Sequence, residues 1–243
     1  MKSALVTGGS RGIGLGIATR LAELGYGLTI TARNADALGA VADTLRTAGA
    51  PEVVTVAADL ADRDAADLIV AAHAERFPAM DALVLNAGVG TAGAIADYPM
   101  RRFDKTLDVN VRAPFQVLQN SIPLLRKAVE ANPDGGAKVL ALASLAGVYS
   151  ESGLAVYGAT KAAMLSLIDT LNAEESGNGI TGTSIAPGYV DTDMSDWTKD
   201  AIPAETMIRV NDIVELATSV LKLSSRAVVP RIVVTRAGAG LGA

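Results

Sequence analysis

Strand-like and helix-like segments alternate along almost the whole chain, and this alternation is the feature that most limits how the chain can fold. The pattern predicts seven short strands separated by longer helical segments. A strand, a helix and a second strand in this rhythm form a βαβ unit, in which the two strands are parallel. We therefore predict an α/β fold built on one doubly wound parallel sheet of about seven strands, with helices on both faces.

The predicted elements cover most of the chain. The predicted strands are Ser3–Thr7, Leu28–Ala32, Val53–Ala57, Asp81–Leu85, Lys138–Ala143, Thr181–Ala186 and Arg231–Thr235. The predicted helices are Gly12–Leu24, Ala35–Ala48, Asp62–Phe77, Met100–Val129 (bent near Pro114 and Pro123), Leu154–Glu175 and Asn211–Leu223. Without a repeat, a linker or a shift in composition, residues 1–243 are interpreted as a single domain. Only the segment from Gly188 to about Met207 breaks the rhythm, and its length predicts a functional lid. We expect residues Met194 to Met207 of this lid to be mobile without ligand and ordered by NADPH with substrate.

The composition excludes several classes of protein. The net charge is −5, whereas a protein that binds nucleic acid needs a basic face. The chain has no cysteine and one histidine, so we expect no disulfide and no metal site. No apolar run approaches the roughly 20 residues that span a bilayer, and the first strand leaves no room for a signal peptide. We expect a cytoplasmic protein without membrane contact, and we interpret His73 as a surface residue of its helix.

A glycine-rich turn, TGGSRGIG from Thr7 to Gly14, joins the first strand to the first helix. Glycines let the backbone come close to a pyrophosphate, and the helix N-terminus supplies N–H donors and a positive dipole end. In a doubly wound sheet this turn predicts a Rossmann-type dinucleotide site, although a tight turn without a ligand remains the alternative. The spacing of Gly8, Gly12 and Gly14 differs from the common G-x-G-x-x-G fingerprint.

The end of the second predicted strand favours NADP(H) over NAD(H). NAD sites usually carry an acidic residue there, which holds the ribose 2′-hydroxyl. This chain has Ala32 and Arg33 at that point, and Arg11 in the glycine-rich turn. Since a guanidinium matches the oxygens of a phosphate, we predict that both arginines bind a 2′-phosphate. Two solvated surface arginines are the alternative.

Tyr157 and Lys161 lie four residues apart and share one face of a predicted helix. A nearby ammonium lowers the pKa of a phenol from about 10, which allows the tyrosine to act as an acid or base near neutral pH. Taken alone, such a pair is more often a solvated surface pair, and other motifs are needed to interpret it.

Those motifs occur in a characteristic order. Asn86-Ala87-Gly88 follows the fourth strand, Asn110 lies in the long helix, Ser144 ends the fifth strand, and Pro187 to Thr192 follows the sixth. With the glycine-rich turn and the Tyr/Lys pair, they resemble the short-chain dehydrogenase/reductase family in its compact single-domain form. The resemblance covers nearly the whole chain, and the wider pattern is similar to the bacterial 3-oxoacyl-(acyl carrier protein) reductases.

The resemblance implies roles for individual residues. Tyr157 would be the acid/base, Lys161 would lower its pKa and hold the nicotinamide ribose, Ser144 would hydrogen-bond the substrate oxygen, and Asn110 would anchor a proton-relaying water. Asp59 would bind the adenine amino group, and Val190 with Thr192 the carboxamide. The implied cofactor-binding residues are Gly8, Ser10, Arg11, Gly12, Ile13, Gly14, Arg33, Asp59, Leu60, Asn86, Ala87, Gly88, Tyr157, Lys161, Pro187, Gly188, Val190 and Thr192.

The resulting hypothesis is an NADP(H)-dependent oxidoreductase that transfers a hydride between nicotinamide and a small carbonyl or secondary alcohol substrate, in the reductive direction. An NADP⁺-dependent alcohol or polyol dehydrogenase and an NADPH-binding regulatory protein without turnover are the alternatives. For the substrate pocket, the sequence offers apolar and polar candidates. These are Met194, Trp197, Ile202 and Met207, with Tyr149 and Glu151 as polar contacts.

The resemblance also implies a homodimer or homotetramer. We expect the helices that carry Asn110 and Tyr157 to pair with those of a second subunit through exposed apolar faces. The residues predicted for these faces are Ala113, Leu118, Ala162 and Leu165. The C-terminal region, with Pro230 and Arg236-Ala237-Gly238, departs from the family pattern, and this makes a tetramer less expected than a dimer.

Overall fold

Seven parallel strands form one sheet in the computed structural model, which describes residues 1–239. The strands are β1 (Ser3–Thr7), β2 (Gly27–Ala32), β3 (Val53–Ala57), β4 (Ala82–Leu85), β5 (Ala137–Leu142), β6 (Ile180–Pro187) and β7 (Arg231–Val234). Their order across the sheet is β3-β2-β1-β4-β5-β6-β7. The helices are α1 (Gly12–Glu23), α2 (Ala35–Ala48), α3 (Ala65–Arg76), α4 (Met100–Leu107), α5 (Ala113–Ala131), α6 (Ala155–Glu175) and α7 (Val210–Leu221).

Helices cover both faces of the sheet, and the two faces form separate cores. Successive strand residues alternate between them: Val6 belongs to the core with α1, α2 and α7, whereas Leu5 belongs to the core with α3, α5 and α6. Both faces are apolar because a strand covered on both sides has no solvated face. The predicted doubly wound fold is confirmed.

The predicted strands and helices all occur, with their ends shifted by three residues or fewer. The long predicted helix is interrupted by a π-helical turn at Asp108–Arg112, where the Ala113 N–H donates to the carbonyl of Asp108. Pro114 lies next to it and has no N–H to donate to Asn110 four residues before, so the regular ladder cannot continue there. The turn therefore sets the position of Asn110.

The segment after β6 is irregular, as predicted. It contains two short 3₁₀ turns, Asp193–Thr198 and Ala204–Thr206, and its base is closed by a parallel bridge between Val190 and Ile208. This bridge fixes both ends of the segment beside the sheet, while its middle extends over the carboxyl ends of the strands. Mobility of the segment remains a prediction. Within the described residues, no helix has both the length and the apolar character that crossing a membrane requires.

His73 is fully buried, and its interpretation as a surface residue was wrong. Its Nδ1 lies 2.9 Å from the Thr29 hydroxyl, its Nε2 lies 3.3 Å from the Ser3 hydroxyl, and its ring packs against Phe77. His73 continues the buried face of α3 at helical spacing from Ala66, Ile69 and Val70. That spacing was visible in the sequence, but in an alanine-rich helix it does not stand out.

The predicted apolar pairing face was also largely wrong. Ala113, Leu118 and Leu165 are buried within the chain itself, and of the four named residues only Ala162 is exposed. Because α5 and α6 both pack on the sheet, their apolar stripes are used inside the subunit. Phe115, about half exposed on α5, is the larger apolar group there. Assembly into a homodimer or homotetramer remains a prediction.

Burial of His73 makes stability depend on pH in a defined range. Burial lowers the pKa of His73 from 6.5 to about 4, so between these values the unfolded chain binds a proton that the native protein does not. The free energy of unfolding should therefore fall as pH decreases from 6.5 to 4, by up to about 3 kcal/mol. Urea unfolding at several pH values measures this. His73→Asn should flatten the curve in that range, and an unchanged slope in this variant would contradict the assignment.

Candidate functional site

The carboxyl ends of the strands border a cavity of about 1310 Å³, at the edge where β1 and β4 lie side by side. The chain leaves these two strands toward opposite sides of the sheet order, which opens a crevice between them. The volume exceeds the roughly 300–1,000 Å³ of a site for a drug-sized ligand. It therefore has room for a dinucleotide and a second small molecule. Of the predicted catalytic and cofactor-binding residues, all line this cavity except Gly14 and Asn110.

The glycine-rich turn lies against the end of β4. Gly8 and Gly12 have positive φ angles of 66° and 55°, which glycine adopts without strain. The Asn86 amide donates to the carbonyls of Thr7 and Gly8, at 3.0 Å each. A Cβ on Gly14 would overlap both that amide and the Gly8 carbonyl. Gly14 therefore allows α1 to pack closely behind the turn. It was predicted to bind the cofactor, but it does not line the cavity.

Asn110 is buried behind the cavity wall, where both ends of its amide are bonded. Its Oδ1 accepts from the Val89 N–H at 2.8 Å, and its Nδ2 donates to the Val89 carbonyl and to the Thr160 hydroxyl, at 3.0 and 3.1 Å. The Thr160 hydroxyl in turn donates to the Tyr157 carbonyl. Asn110 thus joins the loop after β4 to the helix that carries Tyr157. Its predicted role as a water anchor remains a prediction.

Tyr157, Lys161 and Ser144 meet on one wall of the cavity. Tyr157 and Lys161 lie on the same side of α6, and the Lys161 Nζ is 5.7 Å from the centre of the Tyr157 ring. Lys161 donates to the carbonyl of Leu142, at the end of β5, at 2.7 Å. Ser144 follows this strand, and its Oγ accepts from the Ala146 N–H at 3.2 Å. The structure therefore brings Ser144, which follows β5, together with Tyr157 and Lys161 of α6.

Burial dominates the electrostatics of this wall. Burial lowers the pKa of Lys161 to about 8 and raises the pKa of Tyr157. The Ser144 hydroxyl acts against the shift in the Tyr157 pKa, whereas the charge of Glu151 adds to it. The expectation that Lys161 holds the Tyr157 pKa below its usual value is not met here. Removal from water penalises the phenolate, and this is the main cause of the raised pKa of Tyr157.

Arg11 and Arg33 both line the cavity, at the end opposite the wall with Tyr157 and Lys161. Arg11 forms an ion pair with Asp193 at 2.8 Å, and both side chains are more than 60% exposed. This pair links the glycine-rich turn to the segment after β6. Among residues 1–239, Arg33 forms no ion pair. Asn34, which follows it, caps α2 by accepting from the Ala37 N–H. The Asp59 carboxylate accepts from the Ala61 N–H.

The substrate end differs in part from the prediction. Met194, Trp197 and Glu151 line the cavity, whereas Ile202, Met207 and Tyr149 do not. Sequence reasoning assigned no role to Tyr189, although it lies in the PGYVDT motif. Its hydroxyl donates to Glu151 Oε1 at 2.6 Å, and its ring meets Trp197 edge-on with the ring centres 6.2 Å apart.

In the described part of the chain, no group of three His, Cys, Asp or Glu residues is arranged to hold a metal ion.

Comparison with known proteins agrees with this geometry. Residues 2–202 match the family described as short chain dehydrogenase. The chain is 31% identical over 211 residues to a 3-oxoacyl-[acyl-carrier-protein] reductase of Staphylococcus aureus, covering 86% of this chain and 82% of the relative. The family match spans most of the chain, including the glycine-rich turn and the Tyr157 helix.

Solved structures share the fold over nearly its whole length. A short chain dehydrogenase from Burkholderia cenocepacia, in complex with NADP, superimposes with a TM-score of 0.85 at 33% identity, covering 100% of this chain and 98% of that one. A 3-oxoacyl-[acyl-carrier protein] reductase from Brucella melitensis, in complex with NAD, gives a TM-score of 0.86 at 26% identity, covering 96% and 94%. The chain belongs to the short-chain dehydrogenase/reductase family and is a nicotinamide-dependent oxidoreductase.

The packing at Gly14 can be tested with a matched pair of variants. Gly14→Ala should lower cofactor affinity and stability, because overpacking against the Gly8 backbone costs about 1–3 kcal/mol. Gly39→Ala is the control. Gly39 is an exposed position within α2 with nothing near its Cβ position, and the change should stabilise the protein by about 0.5–1 kcal/mol. Thermal melting and NADPH titration by fluorescence measure both. Equal behaviour of the two variants would refute the packing argument.

Proposed function

We propose that the protein is an NADP(H)-dependent reductase that converts a small carbonyl compound to a secondary alcohol. The observation that carries this proposal is the placement of Tyr157, Lys161 and Ser144 on one wall of a cavity whose far end holds Arg11 and Arg33. A regulatory protein that only binds the cofactor would not need the first three residues in this arrangement. Oxidation of NADPH in the presence of a panel of ketones and thioesters is the direct test.

The residues of the cavity fit a dinucleotide. Gly8 and Gly12 leave the first βα turn without side chains, so the pyrophosphate would lie against its backbone at the N-terminus of α1. A Cβ on Gly88 would lie 3.5 Å from the Lys161 Nζ, and the bare backbone there would leave room for the nicotinamide ribose beside that ammonium. Arg33 and Arg11 would hold the 2′-phosphate, Asp59 the adenine, and Pro187 to Thr192 the carboxamide.

In the proposed reaction, bound nicotinamide supplies the hydride that reduces the carbonyl carbon. The protein provides the proton and the orientation. Ser144 would donate a hydrogen bond to the carbonyl oxygen and polarise it, while the Tyr157 phenol would give its proton to the same oxygen as the C=O π bond breaks. Lys161, fixed by the Leu142 carbonyl, would then stabilise the resulting phenolate until it regains a proton from water.

The electrostatics favour the reductive direction over the alternative of an NADP⁺-dependent alcohol dehydrogenase. Burial raises the pKa of Tyr157, and the carboxylate of Glu151 raises it further. A phenol that keeps its proton is ready to donate it to a carbonyl, whereas oxidation of an alcohol needs the phenolate as a base. The raised pKa of Tyr157 therefore supports its proposed role as the proton donor in reduction.

Removing the proposed acid should strongly reduce turnover without affecting the fold. Tyr157→Phe should lower kcat by about 10²- to 10⁴-fold and leave NADPH affinity nearly unchanged, because only the proton donor is lost. Lys161→Ala should reduce both kcat and NADPH affinity. Tyr26→Phe, at a buried tyrosine outside the cavity, is the control and should keep its activity. A Tyr157→Phe enzyme with a near-normal rate would exclude this mechanism.

Cofactor choice should depend on the two arginines. We expect NADPH to bind about ten- to a hundredfold more tightly than NADH, the contribution of a charge-assisted contact to phosphate. Arg33→Ala should weaken NADPH binding alone. Asp193→Asn should strengthen NADPH binding by about two- to fivefold, because the Asp193 carboxylate competes with the phosphate for the Arg11 guanidinium. Fluorescence titration of both cofactors decides this, and equal affinities in the wild-type protein would exclude the proposed preference.

A further inference from the structure

At the substrate end of the cavity, the carboxylate of Glu151 has a fixed hydrogen-bond partner. Glu151 lies in the turn before α6, and Tyr189 follows β6, so the bond between them joins two walls of the cavity. The Tyr189 ring also meets Trp197, which is 62% exposed at the same end. Tyr189, which packs against Trp197, thus holds the Glu151 carboxylate beside the proposed reaction centre, where its charge acts on Tyr157.

The pair of Glu151 and Tyr189 offers only hydrogen-bond acceptors to a ligand. An ionised carboxylate only accepts hydrogen bonds, and it has about four lone-pair sites for them. Tyr189 uses its single proton on Oε1, which leaves the pair with acceptors alone. Lys161, Lys105 and Arg236 also line the cavity, but among residues 1–239 Glu151 forms no ion pair with any of them. A ligand group that meets Glu151 must therefore be a donor.

We propose that Glu151 is a specificity-determining residue of this enzyme, a proposal that rests on the proposed function. Glu151 selects carbonyl substrates that bear a hydroxyl or ammonium group, and it disfavours substrates that bear a carboxylate. A donor group of the substrate binds the free lone pairs of the carboxylate. A carboxylate in the same place meets the like charge of Glu151 and the acceptor oxygens of the pair, so it loses hydration without gaining a hydrogen bond from them. Met194 and Trp197 supply the apolar surface for the carbon chain between this group and the carbonyl.

The test uses ketones of one carbon skeleton that end in a hydroxyl, ammonium, methyl or carboxylate group, prepared in several chain lengths. For the wild-type enzyme, kcat/KM with NADPH should be highest for the hydroxyl and ammonium members. Glu151→Gln should reduce the ratio of ammonium to carboxylate activity by about five- to tenfold, the scale of one exposed charged contact. Glu151→Lys should reverse that order. Higher ionic strength should reduce the wild-type ratio as well, because Glu151 is exposed.

Glu174→Gln is the matched control, since Glu174 is exposed near the end of α6, outside the cavity and without an ion pair in the described chain. Its substrate ratios should equal those of the wild-type enzyme. If Glu151→Gln lowers the activity on all four substrates equally, Glu151 is merely structural and the inference is wrong. If the wild-type enzyme binds NADPH but reduces none of the four, the proposed function itself fails, and this inference fails with it.

Discussion

The hydrogen bonds of Asn86 hold the two strands at the centre of the sheet together where they end, and the cavity depends on this contact. Its amide reaches the carbonyls of Thr7 and Gly8, and its backbone N–H donates to the Thr7 hydroxyl. These bonds satisfy backbone groups that the strands leave unpaired as they diverge. They also fix the distance between the glycine-rich turn and the loop after β4. A larger residue at Gly14 would separate these two segments.

A second set of bonds joins that loop to the helix bearing Tyr157. Because Pro114 prevents a regular ladder, the π-helical turn presents the Asn110 amide to the Val89 backbone on one side and to Thr160 on the other. Thr160 is three residues from Tyr157 and bonds its carbonyl. The position of Tyr157 relative to the cavity is thus set by a chain of buried polar contacts, each of which would leave an unpaired group if one member were removed.

Burial gives the two ionisable groups on this wall opposite tendencies. It favours the neutral forms of both Lys161 and Tyr157, so the pKa of the lysine falls and that of the tyrosine rises. The sequence suggests only that an ammonium lies near a phenol, and from that spacing a lowered tyrosine pKa follows. The tertiary structure adds the removal of water and the charge of Glu151, and both of these raise the pKa of Tyr157.

The alternation of apolar runs and glycine turns by itself determined the doubly wound sheet, the element boundaries within a few residues and the site at the carboxyl ends of the strands. These three features depend only on local periodicity and on the handedness of βαβ units. It could not determine which helix faces the sheet uses, and so His73 was misplaced and Ala113, Leu118 and Leu165 were expected at the surface. Contacts between distant segments, such as Arg11 with Asp193 and Glu151 with Tyr189, depend on how loops from different strands meet. No sequence spacing encodes that meeting, since these partners are 182 and 38 residues apart and only the packed sheet brings them together.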